Sequence, residues 1–175
     1  YGRQEQALAV NSRDLAIAGE ISVAPTIVRD AHELQVIVLL ALGRVDAAKT
    51  ELAVADQLSH ETGDDRWPAS LRRVRLHAQL ALAQGKPDEA RRTFASYDPG
   101  PPGSGRQLRR WIVQRLTNAE IALALNDAAS AAADSQAVID RLTREPARRL
   151  FALSEAQAHY LLGTAARRPG PQAGA

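Results

Sequence analysis

The sequence predicts an all-α fold, an α-solenoid of antiparallel helix pairs with about eight helices. Three observations lead to this prediction. A small turn residue followed by an alanine recurs along the 175 residues, apolar residues keep fixed distances from that turn, and no run alternates apolar with polar residues as a strand would. The composition agrees, because alanine supplies much of the 45% apolar content and has the highest helix propensity of any residue.

The turn residue and an alanine five positions later recur at a nearly constant spacing. The pairs are Gly2/Ala7, Gly43/Ala48, Gly85/Ala90, Asn126/Ala131 and Gly170/Ala175, so the steps are 41, 42, 41 and 44 residues. Glycine, and next to it asparagine, tolerates the left-handed conformation that ends many helices. A constant period of this length is the signature of stacked structural repeats.

Residues before each turn repeat as well. Seven positions before it stand Val36, Ala78, Ala119 and Gly163, all of which allow a neighbouring helix to come close. Nine positions before it stand Leu34, Leu76, Thr117 and Leu161. Three positions before it, the series Leu40, Leu82 and Leu123 ends at Arg167, where the pattern fails. The offsets place these residues on one broad stripe of a helix.

Each unit is predicted to contain a first helix, a tight turn and a second helix. First helices are predicted over Thr26–Leu42, Ala69–Gln84, Gln107–Leu125 and Ala147–Arg167. Second helices are predicted over Arg3–Gly19, Val45–Thr62, Pro87–Tyr97 and Asp127–Thr143. We expect Pro68, Pro87 and Pro146 in the first turn of their helices, where a missing N–H costs nothing.

We predict one repeat domain over residues 1–175, with units at about 1–24, 25–66, 67–105, 106–145 and 146–175. The first unit begins at its turn and the last stops inside its second helix, and neither carries a polar cap. A terminal repeat cannot bury its faces alone. We therefore expect that the domain is cut from a longer chain, or that partners cover its ends.

The composition limits which cellular compartment and which class of partner the sequence predicts. The chain has no cysteine, which excludes disulfide and thiolate chemistry, and no signal peptide or stretch of about 18 apolar residues that would indicate a membrane span. A net charge of +2 is too small to indicate nucleic acid by itself. We predict a cytoplasmic protein with no membrane contact.

The segments LLALGRVDAAKTELAVADQL and ALAQGKPDEARRTFASY resemble the second half of tetratricopeptide repeats (TPRs). The stretch GDDRWPASLRRVRLHAQLALAQGKPDEA is similar to the kinesin-light-chain type, whose repeat is about 42 residues long. The resemblance covers essentially the whole chain and implies a superhelix of helix pairs. One departure is that Gln35, His77 and Asn118 stand where the family usually has a large apolar residue.

No catalytic, cofactor or metal site is predicted. The segment GPPGSGRQ resembles a phosphate-binding P-loop, but Arg106 and Gln107 replace its Lys and Ser/Thr, so a linker between repeats is favoured. His32, His60, His77 and His159 lack the spacing of a helix-borne zinc site, and the equivalent positions of His32 and His159 suggest packing at helix contacts. A Ser-His-Asp arrangement across repeats stays open, although the sequence has no nucleophile elbow.

In the family that the chain resembles, the first helix of each pair lines a concave groove for a peptide or helix. The resemblance places ten residues of this sequence on that groove. They are Asp30, Glu33, Ile37, Arg72, Arg75, Gln79, Leu116, Glu120, Tyr160 and Thr164. Acidic, basic and apolar patches would then follow in order and fix the register of a bound segment.

The resemblance implies a non-enzymatic protein-interaction or scaffolding module, such as the regulatory region of a bacterial signalling kinase or transcriptional regulator. Its partner would be a protein, a peptide or flanking domains of the same chain. A nucleic-acid-binding helical repeat is the first alternative, through the arginine rows Arg72, Arg73 and Arg75 and Arg106, Arg109, Arg110 and Arg115. An enzyme that joins His, Ser and carboxylates across repeats is the second alternative.

Overall fold

The computed structural model of the chain describes residues 2–20, 23–62, 71–97, 100–101 and 103–168. All regular structure in these ranges is helical and none is strand, so the predicted all-α fold is confirmed. The α-helices are α1 Gly2–Glu20, α2 Pro25–Ala41, α3 Val45–Glu61, α4 Leu71–Ala83, α5 Pro87–Ala95, α6 Arg106–Ala124, α7 Ala128–Thr143 and α8 Ala152–Ala166. A short 3₁₀ helix, Arg148–Phe151, precedes α8. None of the helices in the described ranges has the length and apolarity to cross a bilayer.

Three of the predicted turns share one backbone geometry. Gly43, Gly85 and Asn126 all have positive φ, at 72°, 71° and 60°. At the first turn the Arg44 N–H donates to the Leu39 carbonyl at 2.9 Å and the Gly43 N–H to the Leu40 carbonyl at 3.0 Å. The same two hydrogen bonds recur around Gly85 and around Asn126. This is the Schellman ending of a helix, and it confirms the predicted role of these turn residues.

The small residues at fixed distances from these turns are buried. Val36, Ala78 and Ala119, seven positions before the turn, and Ala48, Ala90 and Ala131, five positions after it, are all 0% exposed. Close packing between helices favours small side chains at such buried positions. The predicted Gly170/Ala175 pair lies outside the described residues.

The chain divides into two compact units, Tyr1–Tyr97 and Asp98–Ala175. In the first unit α2 packs against α1, α3 and α4, and α4 also packs against α3 and α5. Its core contains Val36, Leu39, Ala48, Leu52, Leu76 and Leu80. Because Asn11 of α1 reaches Ala31 and Gln35 while Arg44 reaches Glu5, α1 and α2 run antiparallel.

In the second unit α6, α7 and α8 pack against one another. Arg115 and Asp134 meet on either side of the turn at Asn126, so α6 and α7 are antiparallel. The core of this unit has large side chains from every helix. It includes Leu108, Trp111, Ile112, Leu116, Val138, Leu142, Phe151 and Leu161.

The helix bounds differ from the predicted ones at one place above all. The helix predicted from Ala147 begins at Ala152, and residues 148–151 form the 3₁₀ helix instead. Pro146 therefore lies in the turn ahead of this helix, whereas Pro87 does occupy the first turn of α5 as predicted. Pro68 lies outside the described residues.

Candidate functional site

Three of the predicted groove residues meet where the first helices α2 and α4 pack together. The Arg72 Nη1 lies 3.2 Å from the Glu33 Oε2 and 3.8 Å from the Asp30 Oδ1. Arg72 and Asp30 are each about half exposed, whereas Glu33 is buried. The α2 and α4 faces thus present a mixed charged surface, which we call the α2/α4 face and define by Asp30, Glu33, Arg72 and Arg75.

A buried arginine that sequence analysis did not single out as a site residue lies beneath this face. The Arg73 Nε is 3.7 Å from the Glu33 Oε1 and 3.8 Å from the Asp56 Oδ1, and its side chain is almost wholly buried. Neither its Nε nor its Nη1 makes a hydrogen bond within the described part of the chain. His77 continues the network, with its Nε2 at 3.0 Å from the Asp56 Oδ2. Two carboxylates therefore compensate one buried guanidinium.

Arg75, Gln79 and Ile37 extend the α2/α4 face to either side. Arg75 is half-buried, and its Nε has no hydrogen-bond partner in the described ranges. Gln79 is also half-buried, whereas Ile37 is exposed and lines a cleft between α1 and α2. The Arg75 Nε is buried from solvent, so it is not itself a donor for a ligand, whereas the half-exposed Arg72 guanidinium suits a carboxylate from outside the chain.

The second unit arranges its predicted residues differently. Leu116 is 3% exposed and belongs to the core, so it offers no surface to a ligand, contrary to its predicted place on the groove. Glu120 on α6 accepts a hydrogen bond from the Gln157 Nε2 on α8 at 2.6 Å. The Thr164 hydroxyl donates to the Tyr160 carbonyl at 2.8 Å, and the Tyr160 ring is exposed.

Gln157 was missed by sequence analysis, although the repeat offers a signal for it. It stands thirteen positions before Gly170, as Asp30 stands before Gly43 and Arg72 before Gly85. In both units a residue at this offset bonds the preceding or following first helix. At Arg72 and Gln157 the position thirteen before the turn makes a polar contact with a neighbouring first helix.

The two arginine rows have different surroundings. In the first row, Arg72 and Arg73 form ion pairs with the Glu33 carboxylate. In the second, Arg115 stacks over the Trp111 ring at 5.5 Å and pairs with Asp134 at 2.6 Å. Arg106, Arg109 and Arg110, on the first turns of α6, are exposed, so the second of these two rows offers solvent-exposed guanidinium groups.

Two histidines, His32 and His77, form carboxylate pairs between helices. The His32 Nδ1 lies 2.6 Å from the Glu51 Oε2 on α3, which agrees with the predicted packing at a helix contact. His159 differs from that prediction, because its side chain is mostly exposed and lies 4.0 Å from Glu155 on its own helix. Across the described ranges no three His, Asp or Glu side chains converge as metal ligands would.

Two carboxylates have perturbed pKa values for local reasons. A hydrogen bond from Arg148 lowers the pKa of Glu155, and the same contact raises the pKa of Arg148. Hydrogen bonds from Ser130, first through its side chain and then through its backbone N–H, lower the pKa of Asp127 at the start of α7. Both carboxylates lie at the beginning of a helix, where these hydrogen bonds stabilise the first turn.

Comparison with protein-family models, with curated proteins and with solved structures finds no match. A functional assignment for this chain therefore rests on its own residues and contacts. The α2/α4 face is the place where the most predicted residues come together.

Proposed function

We propose that the chain is a TPR-type α-solenoid that serves as a non-enzymatic protein-interaction module. Three Schellman turns at steps of 42 and 41 residues support this proposal, as do small residues buried at the same offsets from each turn. The contacts of α2 with α4 and of α6 with α8 support it further, because successive first helices neighbour each other in such an array. The resemblance supplies the context, the regulatory or sensory region of a larger cytoplasmic bacterial signalling protein.

The ligand that we propose for the first unit is an extended or helical peptide segment with acidic and apolar side chains. The observation that supports it is the half-exposed guanidinium of Arg72, which lies over buried Glu33 and one turn before Arg75 on α4. A guanidinium with a free N–H recognises a carboxylate through a charge-assisted hydrogen bond. Exposed Ile37 on the same helix as Asp30 would supply apolar contact.

The mixed charges of the face favour recognition in one register. Asp30 and Arg72 are both half-exposed, so an acidic side chain of the segment meets an opposite charge at Arg72 and a like charge at Asp30. A segment shifted by one position would meet like charges, which costs affinity. Salt weakens such exposed contacts, since the Debye length falls to about 10 Å at 0.1 M.

Fluorescence anisotropy with two labelled peptides of equal length tests the proposal. One peptide alternates Leu and Glu, and the other has Lys in place of Glu. We expect the acidic peptide alone to bind, and Arg75→Ala to weaken that binding about tenfold, which corresponds to about 1.4 kcal/mol. The melting temperature should stay unchanged, because Arg75 takes part in no hydrogen bond through its Nε in the described part of the chain.

Arg91→Ala is the matched control, because Arg91 lies exposed on α5 and pairs with Asp88 within its own helix. It should leave the affinity for the acidic peptide unchanged. Equal binding of both peptides, or an Arg75→Ala variant that binds the acidic peptide as well as the parent chain, would contradict the proposed ligand surface.

A second candidate function is binding of single-stranded nucleic acid through the second unit. The observation that favours it is the exposure of Arg106, Arg109 and Arg110 on the first turns of α6. Phosphate contacts by these side chains would make the affinity fall steeply with salt. Titration of a random-sequence RNA at low and high salt, with the triple Ala variant as control, separates this function from peptide binding.

A further inference from the structure

A cleft lies inside the second unit, between the first turns of α6 and the 3₁₀ helix that precedes α8. Its volume is about 360 Å³, which is at the lower end of the range for small-molecule sites. Arg106 and Arg109 line it from α6, and Ala147, Leu150 and Phe151 line it from the segment that leads into α8. We call it the α6/3₁₀ cleft.

The cleft is formed by segments inside the unit. The last described residue, Arg168, donates a hydrogen bond to the Asn126 Oδ1 at 3.1 Å, beside the end of α6. The cleft lies at the beginning of that helix, which is 19 residues long, so the two places are about 28 Å apart. Its shape therefore depends on the start of α6, the end of α7 and the 3₁₀ helix.

The α6 side of the cleft carries positive charge that is not compensated within the described part of the chain. Arg106 and Arg109 are exposed and stand three positions apart, so they share one face of α6. In the described ranges neither guanidinium has a carboxylate or a hydrogen-bond partner. Glu145 also lines the cleft, but its carboxylate is already paired with the Arg141 Nη1 at 2.9 Å. An anion is therefore the ligand that these charges favour.

The beginning of α6 adds to this positive potential. Gly105, directly before the helix, lines the cleft. The first N–H groups of an α-helix have no partner within the helix, and the helix macrodipole places partial positive charge at the same end. Both act in the same direction as the two guanidinium groups.

The opposite side of the cleft is apolar. The Leu150 N–H donates to the Ala147 carbonyl at 2.9 Å, which is the hydrogen bond of a 3₁₀ turn. Side chains three positions apart in such a turn lie one above the other, so Ala147 and Leu150 both reach the cleft. Phe151 is 8% exposed and anchors this side to the core of the unit. A ligand here meets cations on one side and hydrocarbon on the other.

Two arginines outside the cleft hold its sides in place. Arg141 bonds Glu145 through its Nη1 and donates through its Nη2 to the Gly103 carbonyl at 3.2 Å, so it ties the end of α7 to the segment before α6. Arg148 donates through its Nε to the Glu155 Oε2 at 2.9 Å and so ties the 3₁₀ helix to α8. A cleft formed in advance costs a ligand less ordering of side chains and loops.

We propose that the α6/3₁₀ cleft binds a small amphiphilic carboxylate, a monoanion with a short apolar chain or ring. Its carboxylate pairs with Arg106 and Arg109 through charge-assisted hydrogen bonds, and its apolar part lies against Leu150 and Phe151. A single negative charge fits better than a phosphate dianion, because the Glu145 carboxylate lines the same cleft. This small-molecule site goes beyond the proposed peptide binding, which uses other residues in the first unit.

The second candidate function, nucleic-acid binding, would use the same arginines, so the two ligands compete. A phosphodiester strand has no apolar part to place against Leu150, and Phe151 is too buried to stack on a base. Arg110 separates the two ligands, because it is exposed on the same turns of α6 but does not line the cleft. Nucleic-acid binding would use all three arginines, whereas a carboxylate in the cleft uses two.

A titration of the ¹⁵N-labelled full chain, followed by amide chemical shifts, tests the proposal with three probes. Octanoate has both the charge and the chain, acetate has only the charge, and 1-octanol has only the chain. We expect octanoate, below its micelle concentration, to give saturating shifts in residues 105–110 and 145–151. Acetate and 1-octanol should each bind at least about tenfold more weakly.

Three single variants locate the site. Arg106→Ala and Arg109→Ala should each weaken octanoate binding about fivefold or more, whereas Arg110→Ala is the matched control and should bind octanoate like the parent chain. All three side chains are exposed, so the melting temperatures should be unchanged. Ala147→Phe fills the apolar side of the cleft and should prevent octanoate binding with both arginines intact.

Several outcomes would overturn the proposal. Octanoate that binds no more tightly than 1-octanol or acetate would show that charge and chain are not recognised together. Equal weakening by Arg110→Ala and Arg106→Ala would show a diffuse arginine surface in place of a cleft. Tighter binding of octyl phosphate than of octanoate would contradict the choice of a monoanion. Random-sequence RNA that binds through all three arginines, with octanoate giving no shifts, would establish nucleic acid as the ligand instead.

Discussion

Glu33 in the first unit and Leu116 in the second stand at the same place in the repeat, ten residues before Gly43 and Asn126. Both lie on first helices and both are buried. Glu33 is surrounded by Arg72 and Arg73, whereas Leu116 belongs to a core of large apolar side chains. The comparison teaches that the repeat specifies where a side chain is buried and leaves the chemistry of that position free.

The buried ion pair at Glu33 and the apolar packing around Leu116 differ in their contribution to the free energy of unfolding. A buried ion pair must recover the loss of hydration of both charges, and it often gives no more stability than apolar packing of the same volume. A substitution that removes one partner of the pair is strongly destabilising, because it leaves the other charge buried and uncompensated. The first unit should therefore respond to single changes at this offset more strongly than the second.

The largest effect is expected for Glu33→Ala. The change removes one of the two carboxylates found beside the buried Arg73 guanidinium and leaves Asp56, and should destabilise the first unit by about 4 kcal/mol. Urea denaturation with hydrogen exchange of the α2 and α4 amides measures it. The double variant Glu33→Leu with Arg73→Met replaces both charges with apolar side chains, as at Leu116 in the second unit. It should recover most of the lost stability. A double variant as unstable as Glu33→Ala would show that the charges have a role beyond compensating each other.

Leu116→Ala should cost somewhat less, about 3 kcal/mol, because it removes apolar contacts and leaves a cavity without stranding a charge. Hydrogen exchange should locate the loss in α6, α7 and α8. Leu116→Met conserves volume and is the control, with an expected cost below about 1.5 kcal/mol. If Leu116→Ala left the stability unchanged, Leu116 could not be a core residue of the second unit.

The turns of the two units should show a smaller difference. Gly85 and Asn126 share a positive φ, which a Cβ penalises by roughly 1–2 kcal/mol. Gly85→Ala should destabilise the first unit by about 1 kcal/mol, whereas Asn126→Gly should leave the second unit within a few tenths of its stability. Urea midpoints measure both. Equal effects of the two changes would mean that the left-handed conformation is not what these positions require.

The smallest effect concerns the second helices. Asp127 caps α7 through Ser130, whereas Arg44 and Lys86 at the equivalent positions of α3 and α5 provide no side-chain cap. Because folding lowers the Asp127 pKa, the cap stabilises α7 above pH of about 4 and this contribution is lost as the pH falls through the lowered value.

Asp127→Ala should therefore melt at a lower temperature than the parent chain at pH 7, and the gap should close in acid. Asp127→Asn keeps a capping oxygen that does not titrate, so it should melt close to the parent chain at pH 7. Melting curves from pH 7 to about pH 2 test this. A gap that stays constant with pH would show that ionisation of Asp127 does not contribute.

The helices and turns were predictable because their signals are local. A glycine or asparagine at Gly43, Gly85 and Asn126, followed by a helix start, determines the turn whatever packs around it. The beginning of α8 was missed because a turn of 3₁₀ helix after Pro146 gives the same periodic pattern as an α-helix over four residues.

The site was less predictable, because it depends on contacts between units of the repeat. The offset identified Asp30, Glu33 and Arg72 as neighbours on adjacent first helices, and they are neighbours. The offset could not show that Leu116 would be buried. Two neighbouring faces of one helix have the same periodic pattern, and which of them is buried depends on where the next helix packs. Arg73 was counted among surface arginines because a buried arginine has no sequence signature apart from its partners.

The three identical Schellman turns have a consequence for engineering. Because the same two backbone hydrogen bonds close each turn, a chain cut at Gly43 and rejoined at Gly85 would link α2 to α5 through a joint of unchanged geometry. The spliced pair would place Val36 opposite Ala90, a combination of sizes that already occurs at the Gly43 turn, where Val36 and Ala48 are both buried. Shortened or lengthened forms of this protein can thus be designed in whole helix pairs, without inventing a new loop.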